Sequence, residues 1–486
     1  MNEGARPRKP LRARGAASPG EIPRTGALLL LAIRPCAGVR VKQIVEGLRR
    51  SRDDVEVHVL SRAAGGPDLK AALRSLRRGL AVAVVQRGRT NDGAWRCHAE
   101  RVIAISRRCG APLLPMEVDR AGSARAGRTA ARSRIRTGTP VAARELAGRP
   151  AAIRTIYLRL LMDAARPVAR DACTRALAPL AAPRPAQAMA REVDALAAHR
   201  LLLQRAPFQV FMARAGEAPG VLAEICRLRE LSFRAVGEGS GAPSDRDGFD
   251  EHYEHLFVWH RELREIVGAY RLAFSEEVLP SFGTAGLYTS TLFNYDERVF
   301  DHVGSAMELG RSFVAPAWQR SFQPLLLLWS GIMVLAASRP GLRCLFGPVS
   351  ISGSYSTAAR ALMTRSLMSH FGDPVLSALV RPRHPLSWPS AFGYQRQLAS
   401  ALADPALLSK VVARMERGAG LPVLVRKYLE LQGRFAGFTV DDSFGSTLDG
   451  LVFVDVRRIP LALLERARGD HPRLPSPDRD SASRAR

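Results

Sequence analysis

The hydrophobic pattern of residues 204–464 alternates between strand-like and helix-like segments. Short apolar or alternating runs predict strands, and longer runs with apolar residues three and four positions apart predict helices. The predicted strands are Phe208–Ala213, His255–His260, Arg264–Ala273, Ala306–Val314, Arg343–Ile351 and Leu448–Val456. The predicted helices are Pro219–Phe233, Phe322–Ala337 and Thr357–Phe371. This order predicts a mixed sheet with helices.

The first half of the chain has a different pattern, in which short apolar runs are separated by amphipathic stretches. Leu80–Val85 and Ala111–Met116 read as buried parallel strands, and Val41–Arg50 and Trp95–Cys109 as helices. We therefore expect an α/β protein of two domains, which its length of 486 residues also favours.

The boundaries of the two domains are predicted from the composition of the chain. Residues 177–190 are rich in Ala and Pro and precede a predicted helix at Ala188–Leu203, so we expect a linker and helix at 177–203. The domains are then 24–176 and 204–464. Residues 1–23 and 465–486 have few apolar side chains and are expected to be disordered tails, the first of them basic.

The formal net charge of +27 is unevenly distributed, with +23 in residues 1–200 and +4 in the remainder. A basic surface attracts anionic partners such as a lipid surface, an acidic carrier protein or nucleic acid. Only five of the 72 basic residues are lysine, so enrichment of Arg by compositional bias is an equally open explanation.

The six cysteines are scattered without C-x-x-C spacing, which argues against a zinc site or a disulfide framework and fits a reducing cytoplasm. The longest nearly apolar run, 325–337, has 13 residues and is too short to cross a bilayer. We expect a cytoplasmic protein, peripheral to the inner membrane, without a metal ion.

Glu308 and Arg311 are the first candidate catalytic residues, in the motif Glu308-Leu309-Gly310-Arg311 of a predicted strand. Acylation of an amine requires loss of the ammonium proton, and a buried carboxylate suits that task. Residues three apart in a regular strand face opposite sides. A β-bulge at Gly310 would bring both side chains to one side.

Further polar candidates precede this strand. Arg271 ends the apolar run 266–270 and can bind a carboxylate or phosphate through two parallel hydrogen bonds. Asp247 and Asp250 lie in a polar loop, where they can orient the ammonium of an amino acid.

The order of these motifs resembles the autoinducer-synthase-like branch of the GNAT acyltransferases. The match then continues into segments that resemble the hemolysin-like ornithine N-acyltransferases and covers roughly residues 206–460. The motifs that carry it are Leu228-Arg229-Glu230 with Phe233, Asp247-Gly248-Phe249-Asp250, Val267-Gly268-x-x-Arg271, Glu308-Leu309-Gly310-Arg311-Ser312, Leu345 to Ile351, Tyr355-Ser356, Leu421-Pro422 to Lys427-Tyr428, Asp441-Asp442-x-Phe444 and Phe453-Val454-Asp455.

The resemblance implies a GNAT fold (acyl-CoA N-acyltransferase-like) and transfer of a 3-hydroxyacyl chain from acyl carrier protein to the α-amine of ornithine, giving lyso-ornithine lipid. It implies a base at Glu308, acting directly or through water, with Arg311 beside it in the catalytic centre. The positions that it implies for substrate binding are Asp247, Asp250, Arg271, Arg229 and Ser350.

The segment 318–323 departs from ordinary GNAT enzymes because it lacks the Gly-rich turn that offers backbone N–H groups to the pyrophosphate of coenzyme A. A carrier-protein thioester, which has a single phosphate, fits better. We expect no bound cofactor. The expected partners are acyl carrier protein, ornithine and the inner face of the cytoplasmic membrane, without nucleic acid.

The first half resembles glycerolipid O-acyltransferase domains, through Trp95, Arg107 to Pro115 and Arg134 to Pro140. Those enzymes use an Asn-His…Asp motif, and here Arg34 and Arg40 stand at the His and Asp positions. Their phosphate segment is also altered, at Val85-Gln86-Arg87-Gly88. An arginine stays protonated near neutral pH and is no general base. We therefore expect an inactive, degenerate domain in a chain that resembles bifunctional ornithine lipid synthases.

Other functions remain open at this point. An acyl-homoserine-lactone-type synthase shares the superfamily, but no site for an adenosyl group is recognisable and those enzymes lack the extension after residue 400. A non-catalytic basic protein that binds membranes or nucleic acid would explain the charge. Against nucleic-acid binding, aromatic residues make up 6% of the chain and no helix-turn-helix or zinc motif is present in the sequence.

Overall fold

The structure is a computed structural model, and the chain divides into two compact units. The first unit contains residues 1–168 and 410–419, and the second contains 169–409 and 420–486. The residues that the structure describes are 28–33, 55–60, 74–78, 81–86, 92–121, 132–137, 140–147, 154–155, 157–158, 161, 177–386, 399–400, 402–416, 418–460 and 462–463.

The first unit contains a five-stranded sheet in the order β2-β3-β1-β4-β5. The first four of these strands pair in parallel, and β5 pairs antiparallel with β4 at the edge. Its elements are β1 Leu28–Ile33, β2 Val55–Leu60, β3 Ala81–Gln86, α1 Asp92–Cys109, β4 Leu113–Ala121, β5 Arg132–Thr137 and α2 Ala143–Ala147.

The parallel strands and the helix that precedes β4 confirm the α/β prediction for this half. The predicted helix Val41–Arg50, both tails and the positions Arg34 and Arg40 lie outside the described residues. The degenerate O-acyltransferase site therefore stays a prediction.

The second unit contains an eight-stranded sheet in the order β14-β15-β12-β11-β9-β8-β7-β6. Its strands are β6 Leu201–Arg205, β7 Phe208–Arg214, β8 Glu254–His260, β9 Glu265–Phe274, β11 Ala306–Val314, β12 Cys344–Ile351, β14 Arg434–Asp441 and β15 Thr447–Asp455. A separate pair is formed by β10 Phe293–Tyr295 and β13 Val380–Pro382.

Apart from the first, the helices around this sheet begin and end close to their predicted bounds where a prediction was made. They are α3 Ala186–Leu196, α4 Pro219–Ala235, α5 Ser275–Phe282, α6 Arg298–Val303, α7 Gln323–Ala337, α8 Thr357–Phe371, α9 Pro374–Leu379 and α11 Val423–Glu430. A further helix is α10 Pro405–Met415, whose residues from Lys410 onward are assigned to the first unit. Local signals explain several ends: Pro219 opens α4, and the Ser356 hydroxyl caps α8 by accepting the Ala359 N–H at 3.1 Å.

One predicted helix is wrong at its end. The sequence predicts a helix to Leu203, but α3 stops at Leu196 and 201–205 form β6, which pairs with β7. An apolar run such as 201–203 can form either a helix or a strand. It forms a strand here because it pairs with β7 across the tight turn before Phe208.

All neighbouring strands of the large sheet are antiparallel except β11 and β12. These two pair in parallel over three residues each, 306–308 with 344–346, and then pairing ends. A Cβ at Gly347 would lie 1.9 Å from the Leu309 carbonyl oxygen, so the two backbones are in close contact where pairing ends. The end of pairing opens the middle of the sheet.

Two apolar clusters cover one face of this sheet. Helices α3 and α4 pack over Phe211, Phe257 and Ala269, whereas the segment around Leu287 and Phe293 packs over Ala273 and strands β12 and β15. On β9, Arg271 lies between Ala269 and Ala273 on the same face, because alternate residues of a strand share a face. The charged site therefore lies between two parts of the core.

Candidate active site

Arg229 of α4 is a fully buried member of a charged network and holds the loop that follows its helix. It donates to both carboxylate oxygens of Asp250, at 3.0 and 2.9 Å, and its Nε donates to Asp245 at 2.7 Å. Asp250 is 0% exposed, and Arg229 is equally buried. Burial alone would raise the pKa of Asp250, but the Arg229 guanidinium outweighs burial and holds this pKa well below its usual range.

Two further arginines complete the network. Arg271 donates to Asp250 at 3.0 Å and forms a closer ion pair with Asp247. Arg311 lies 3.3 Å from a carboxylate oxygen of Asp245 and 3.5 Å from one of Asp247. Three guanidinium groups thus face three carboxylates, and their charges balance.

The loop itself is held in place by reciprocal capping. The Asp247 side chain accepts the Phe249 N–H at 3.0 Å, and the Asp250 side chain accepts the Asp247 N–H at 2.9 Å, around the short helix Gly248–Glu251. The residues predicted to bind substrate at Arg229, Arg271, Asp247 and Asp250 are therefore brought together, but they bind one another. Asp247, 27% exposed in its side chain, is the most accessible of the four.

Glu308 of β11 is buried, and its carboxylate accepts three hydrogen bonds. Its carboxylate accepts hydrogen bonds from the Tyr253 hydroxyl and from the backbone N–H groups of Tyr288, at 3.2 Å, and Thr289, at 2.8 Å. Burial and the Glu308 charge raise the pKa of Tyr253 well above its usual value, so this hydroxyl remains a donor. Glu308 thereby fixes the turn Tyr288–Thr291.

A β-bulge, which Gly310 was expected to permit, is present beside that residue, since the pairing of β11 with β9 shifts between Gly310 and Phe313. The left-handed conformation is taken by Arg311, with φ +50°, and not by the glycine. The Arg311 guanidinium lies 4.8 Å from the ring centroid of Tyr288 and 4.6 Å from that of Phe444. Glu308 and Arg311 therefore both contact Tyr288, one through its backbone and the other through its ring.

A cavity of about 230 Å³ lies beside the bulge, between the separated parts of β11 and β12. Arg311 and Ser350 line it, whereas Glu308, Asp247, Asp250, Arg229 and Arg271 are not among its lining residues. The other polar residues that line it are Glu238, Tyr270, Tyr288, Ser312, Tyr428, Asp441 and Asp449.

The carboxylates of this cavity were not predicted from the sequence. Burial, and then the charge of Asp441, raise the pKa of Asp449 to about 6, although the Ser350 hydroxyl donates to it at 2.6 Å. Burial and the charge of Asp449 raise the pKa of Glu238 to about 7. A signal was available, because Asp449, like Glu308, interrupts an otherwise apolar strand.

A second, mostly apolar cavity of about 480 Å³ lies between α7 and α11. Its lining includes Phe322, Leu326 and Trp329 of α7 and Leu431 after α11. The Trp329 ring packs against Tyr428, which lines the first cavity, with centroids 6.0 Å apart. The linings of the two cavities are therefore in contact through these two rings.

No helix in the described part of the chain is both long and apolar enough to cross a bilayer.

Comparison with known proteins places this site in a family. Residues 228–330 match the family of the acetyltransferase (GNAT) domain. The chain is 31% identical over 268 residues to a glycine N(alpha)-acyltransferase of Phocaeicola vulgatus, covering 52% of this chain and 81% of that protein. It is 32% identical over 269 residues to a protein of the same name from Bacteroides thetaiotaomicron, covering 52% and 78%.

Two further matches are more distant. An L-ornithine N(alpha)-acyltransferase of Rhizobium meliloti is 27% identical over 257 residues, covering 51% of this chain and 79% of that protein. The solved structure of a CoA-dependent acyl-homoserine lactone synthase, MesI, matches 53% of this chain and 93% of its own, with a TM-score of 0.26 and 12% identity. From the GNAT match and the coverage of the glycine enzymes, the chain belongs to the ornithine-lipid-type family of Nα-acyltransferases and is an acyltransferase of GNAT type.

Proposed function

We propose that this enzyme transfers a 3-hydroxyacyl chain from acyl carrier protein to the α-amine of ornithine and so forms lyso-ornithine lipid. The observation that carries the proposal is the charge of the cavity between β11 and β12, where one guanidinium, Arg311, faces the carboxyl groups of Glu238, Asp441 and Asp449. Ornithine has one carboxylate and two ammonium groups near neutral pH. Its charges complement this lining better than those of glycine, which has a single ammonium.

Arg311 is the proposed partner of the acceptor's carboxylate. Its Nε makes no hydrogen bond to a described residue and belongs to a side chain that is 11% exposed. The rings of Tyr288 and Phe444 hold the guanidinium plane, so a carboxylate can bind without further ordering of this side chain. Ser350, which lines the same cavity, keeps its predicted role beside the acceptor.

The role of Glu308 as base stays a prediction. The geometry supports a second role for it, because its three donors fix the turn that presents Tyr288 to the cavity. Asp247, Asp250, Arg229 and Arg271 support the site in a similar way, since they position Arg311 through Asp245 and Asp247.

Two features support a carrier-protein thioester as donor. The turn before α7 uses its own amides, as Trp318 N–H donates to Ala315 at 2.8 Å and Ser321 N–H donates to Trp318 at 3.1 Å, so these N–H groups are not free for a pyrophosphate. The apolar cavity across Trp329 and Tyr428 has a volume within the range of ligand sites and suits an acyl chain.

The basic first half is proposed to attach the enzyme to the anionic inner face of the membrane without adding a second acyl chain. Its net charge of +23 supports this role, as does the presence of arginine at both positions, 34 and 40, where the O-acyltransferases have His and Asp.

The test uses the purified full chain, 3-hydroxyacyl carrier protein and equal concentrations of ornithine, lysine and glycine, with mass spectrometry of the products. We expect the ornithine conjugate to dominate, and cells expressing the chain should accumulate lyso-ornithine lipid without the diacylated form. A dominant glycine conjugate would assign the chain to the class of the two glycine N(alpha)-acyltransferases to which it is 31% and 32% identical. Acyl-lactone in the medium would replace the proposal with autoinducer synthesis.

A further inference from the structure

The cavity beside the bulge contains a carboxyl group with the features of a general base. Asp449 of β15 is 4% exposed, lies opposite Ser350 of β12 and accepts that hydroxyl at 2.6 Å. Its other oxygen has a long contact of 3.4 Å with the Thr447 hydroxyl. Asp449 therefore has acceptor capacity left for a ligand, whereas the carboxylate of Glu308 already has three donors.

Two other groups indicate that a polar ligand belongs in this cavity. The Tyr270 side chain is 2% exposed, and its hydroxyl has Ser312 as a polar neighbour but makes no hydrogen bond of good geometry to the described residues. The Arg311 Nε is likewise without a partner there. Buried polar groups without partners are costly, and a ligand that satisfies them recovers that cost.

We infer that Asp449, with Glu238 beside it, is the general base that takes the proton from the α-ammonium of the acceptor. The assignment rests on the proposed N-acyl transfer and adds to it the residue that activates the nucleophile. Glu238 lines the cavity and directly follows Gly237. The Gly237 carbonyl oxygen is in close contact with the backbone of Gly445, since a Cβ added at Gly445 would lie 2.1 Å from it, and this contact positions the chain beside Glu238.

The reaction balances with these groups. One proton leaves the ammonium for the Asp449 carboxylate, and the neutral amine attacks the thioester carbonyl. The C–N bond forms, the C–S bond breaks, and the second nitrogen proton goes to the carrier thiolate, giving amide and thiol. The proton on Asp449 passes to Glu238 or to solvent before the next turnover.

The electrostatic surroundings suit this task near neutral pH. The charged or titratable groups that face Asp449 are Asp441 on β14, Glu238 after α4, Arg311 on β11, Tyr288 on its turn, and Tyr270 and Tyr428 in the lining. Burial and the charge of Asp441 raise the pKa of Asp449 to about 6, and Arg311 opposes this shift. The carboxylate is thus ionised at pH 7.5, yet it is more basic than an ordinary aspartate.

The test compares kcat/KM for ornithine across pH 5–9 in the wild type and three variants. The wild type should lose activity as pH falls through about 6 to 7, because the base becomes protonated. Asp449→Asn should lower kcat/KM by about 10²–10⁴-fold, as expected for loss of a general base. Asp441→Asn should raise KM for ornithine, because Asp441 lines the acceptor cavity, and its loss of activity at acid pH should move to lower pH, since Asp441 raises the pKa of Asp449.

Glu308→Gln separates the two carboxylates. If Glu308 positions the Tyr288 turn, this variant loses rate but keeps the acid limb of the wild type. The inference is overturned if Asp449→Asn retains activity within about threefold, or if the acid limb vanishes in Glu308→Gln while Asp441→Asn leaves it in place. If Asp449→Asn does not fold, the inference is tested by Asp441→Asn alone, through the shift of its acid limb to lower pH. An inactive wild type would refute the proposed function instead.

Discussion

Replacement of Arg229 by methionine tests whether the arginine–aspartate network supports the fold or binds substrate. The change removes a guanidinium that makes four hydrogen bonds to Asp245 and Asp250, while methionine keeps a similar apolar length. Both partners would remain buried with a weaker set of donors.

The expected cost follows from that burial. Removal of one partner from a buried ion pair costs about 3–5 kcal/mol, because the other charge is left without compensation. Arg271 still contacts Asp250 at 3.0 Å, so we expect the lower part of this range, about 3 kcal/mol at pH 7.5. This is a large share of the stability of a typical domain.

The cost depends on pH in a direction set by Asp250. The pKa of Asp250 is depressed in the wild type, so its ion pair contributes stability above the unfolded pKa, near 3.9, and this contribution is lost as pH falls further. Arg229→Met removes the largest of the charges that lower the pKa of Asp250, so this pKa should lie higher in the variant than in the wild type. The difference between variant and wild type should therefore be largest at neutral pH and shrink as the solution becomes more acidic.

The assay is urea unfolding followed by circular dichroism at several pH values, with KM for ornithine measured in parallel. Arg298→Met is the control, because Arg298 also contacts an aspartate, Asp296, with two hydrogen bonds of 2.8 Å, but on the exposed surface. The double variant Arg229→Met/Asp250→Asn should recover part of the loss. A stability equal to that of Arg298→Met, with a raised KM alone, would refute the structural role and restore Arg229 as a substrate-binding residue.

Three further outcomes are expected. Gly347→Ala should lower the urea midpoint of unfolding or prevent folding, because the new Cβ would lie 1.9 Å from the Leu309 carbonyl oxygen. Gly341→Ala is the control and should leave the midpoint unchanged, because a Cβ there has no atom within 4 Å. Equal midpoints for the two variants would contradict the close approach of β11 and β12. Arg311→Lys should lower kcat/KM for ornithine by about 10-fold or more, because a lysine lacks the planar fork that binds a carboxylate through two parallel hydrogen bonds; an unchanged value would exclude carboxylate binding there. Asp449→Asn should stabilise the protein at pH 7.5 by up to about 3 kcal/mol, since its pKa of about 6 makes ionisation in the folded state costly. That gain should decline as pH falls from about 6 toward the unfolded pKa, and a loss of stability at pH 7.5 would contradict the assigned pKa.

The local pattern of apolar and polar residues was sufficient to predict many helices and strands of the second unit. The predicted bounds of β11 and α8 agree with the structure, and Ser356 marks the start of the helix. Strand β14 was missed although it is well buried, and 201–203 were assigned to a helix. In both cases pairing with a neighbouring strand decides the structure, and pairing is a contact that a local pattern does not contain.

The candidate site likewise depends in part on local sequence and in part on contacts between distant residues. The sequence by itself determined that Asp247, Asp250, Arg271, Glu308 and Arg311 are unusual, since charged side chains beside or within apolar strands need a reason. It also indicated that a bulge was possible beside Gly310.

Tertiary structure decided what these residues do. Most of them balance one another between two parts of the core, and the cavity faces Arg311 and Asp449, which are 138 positions apart in the chain. The physical reason is that β11 and β12 stop pairing after three residues, and this opening brings a residue of β15 beside the bulge of β11.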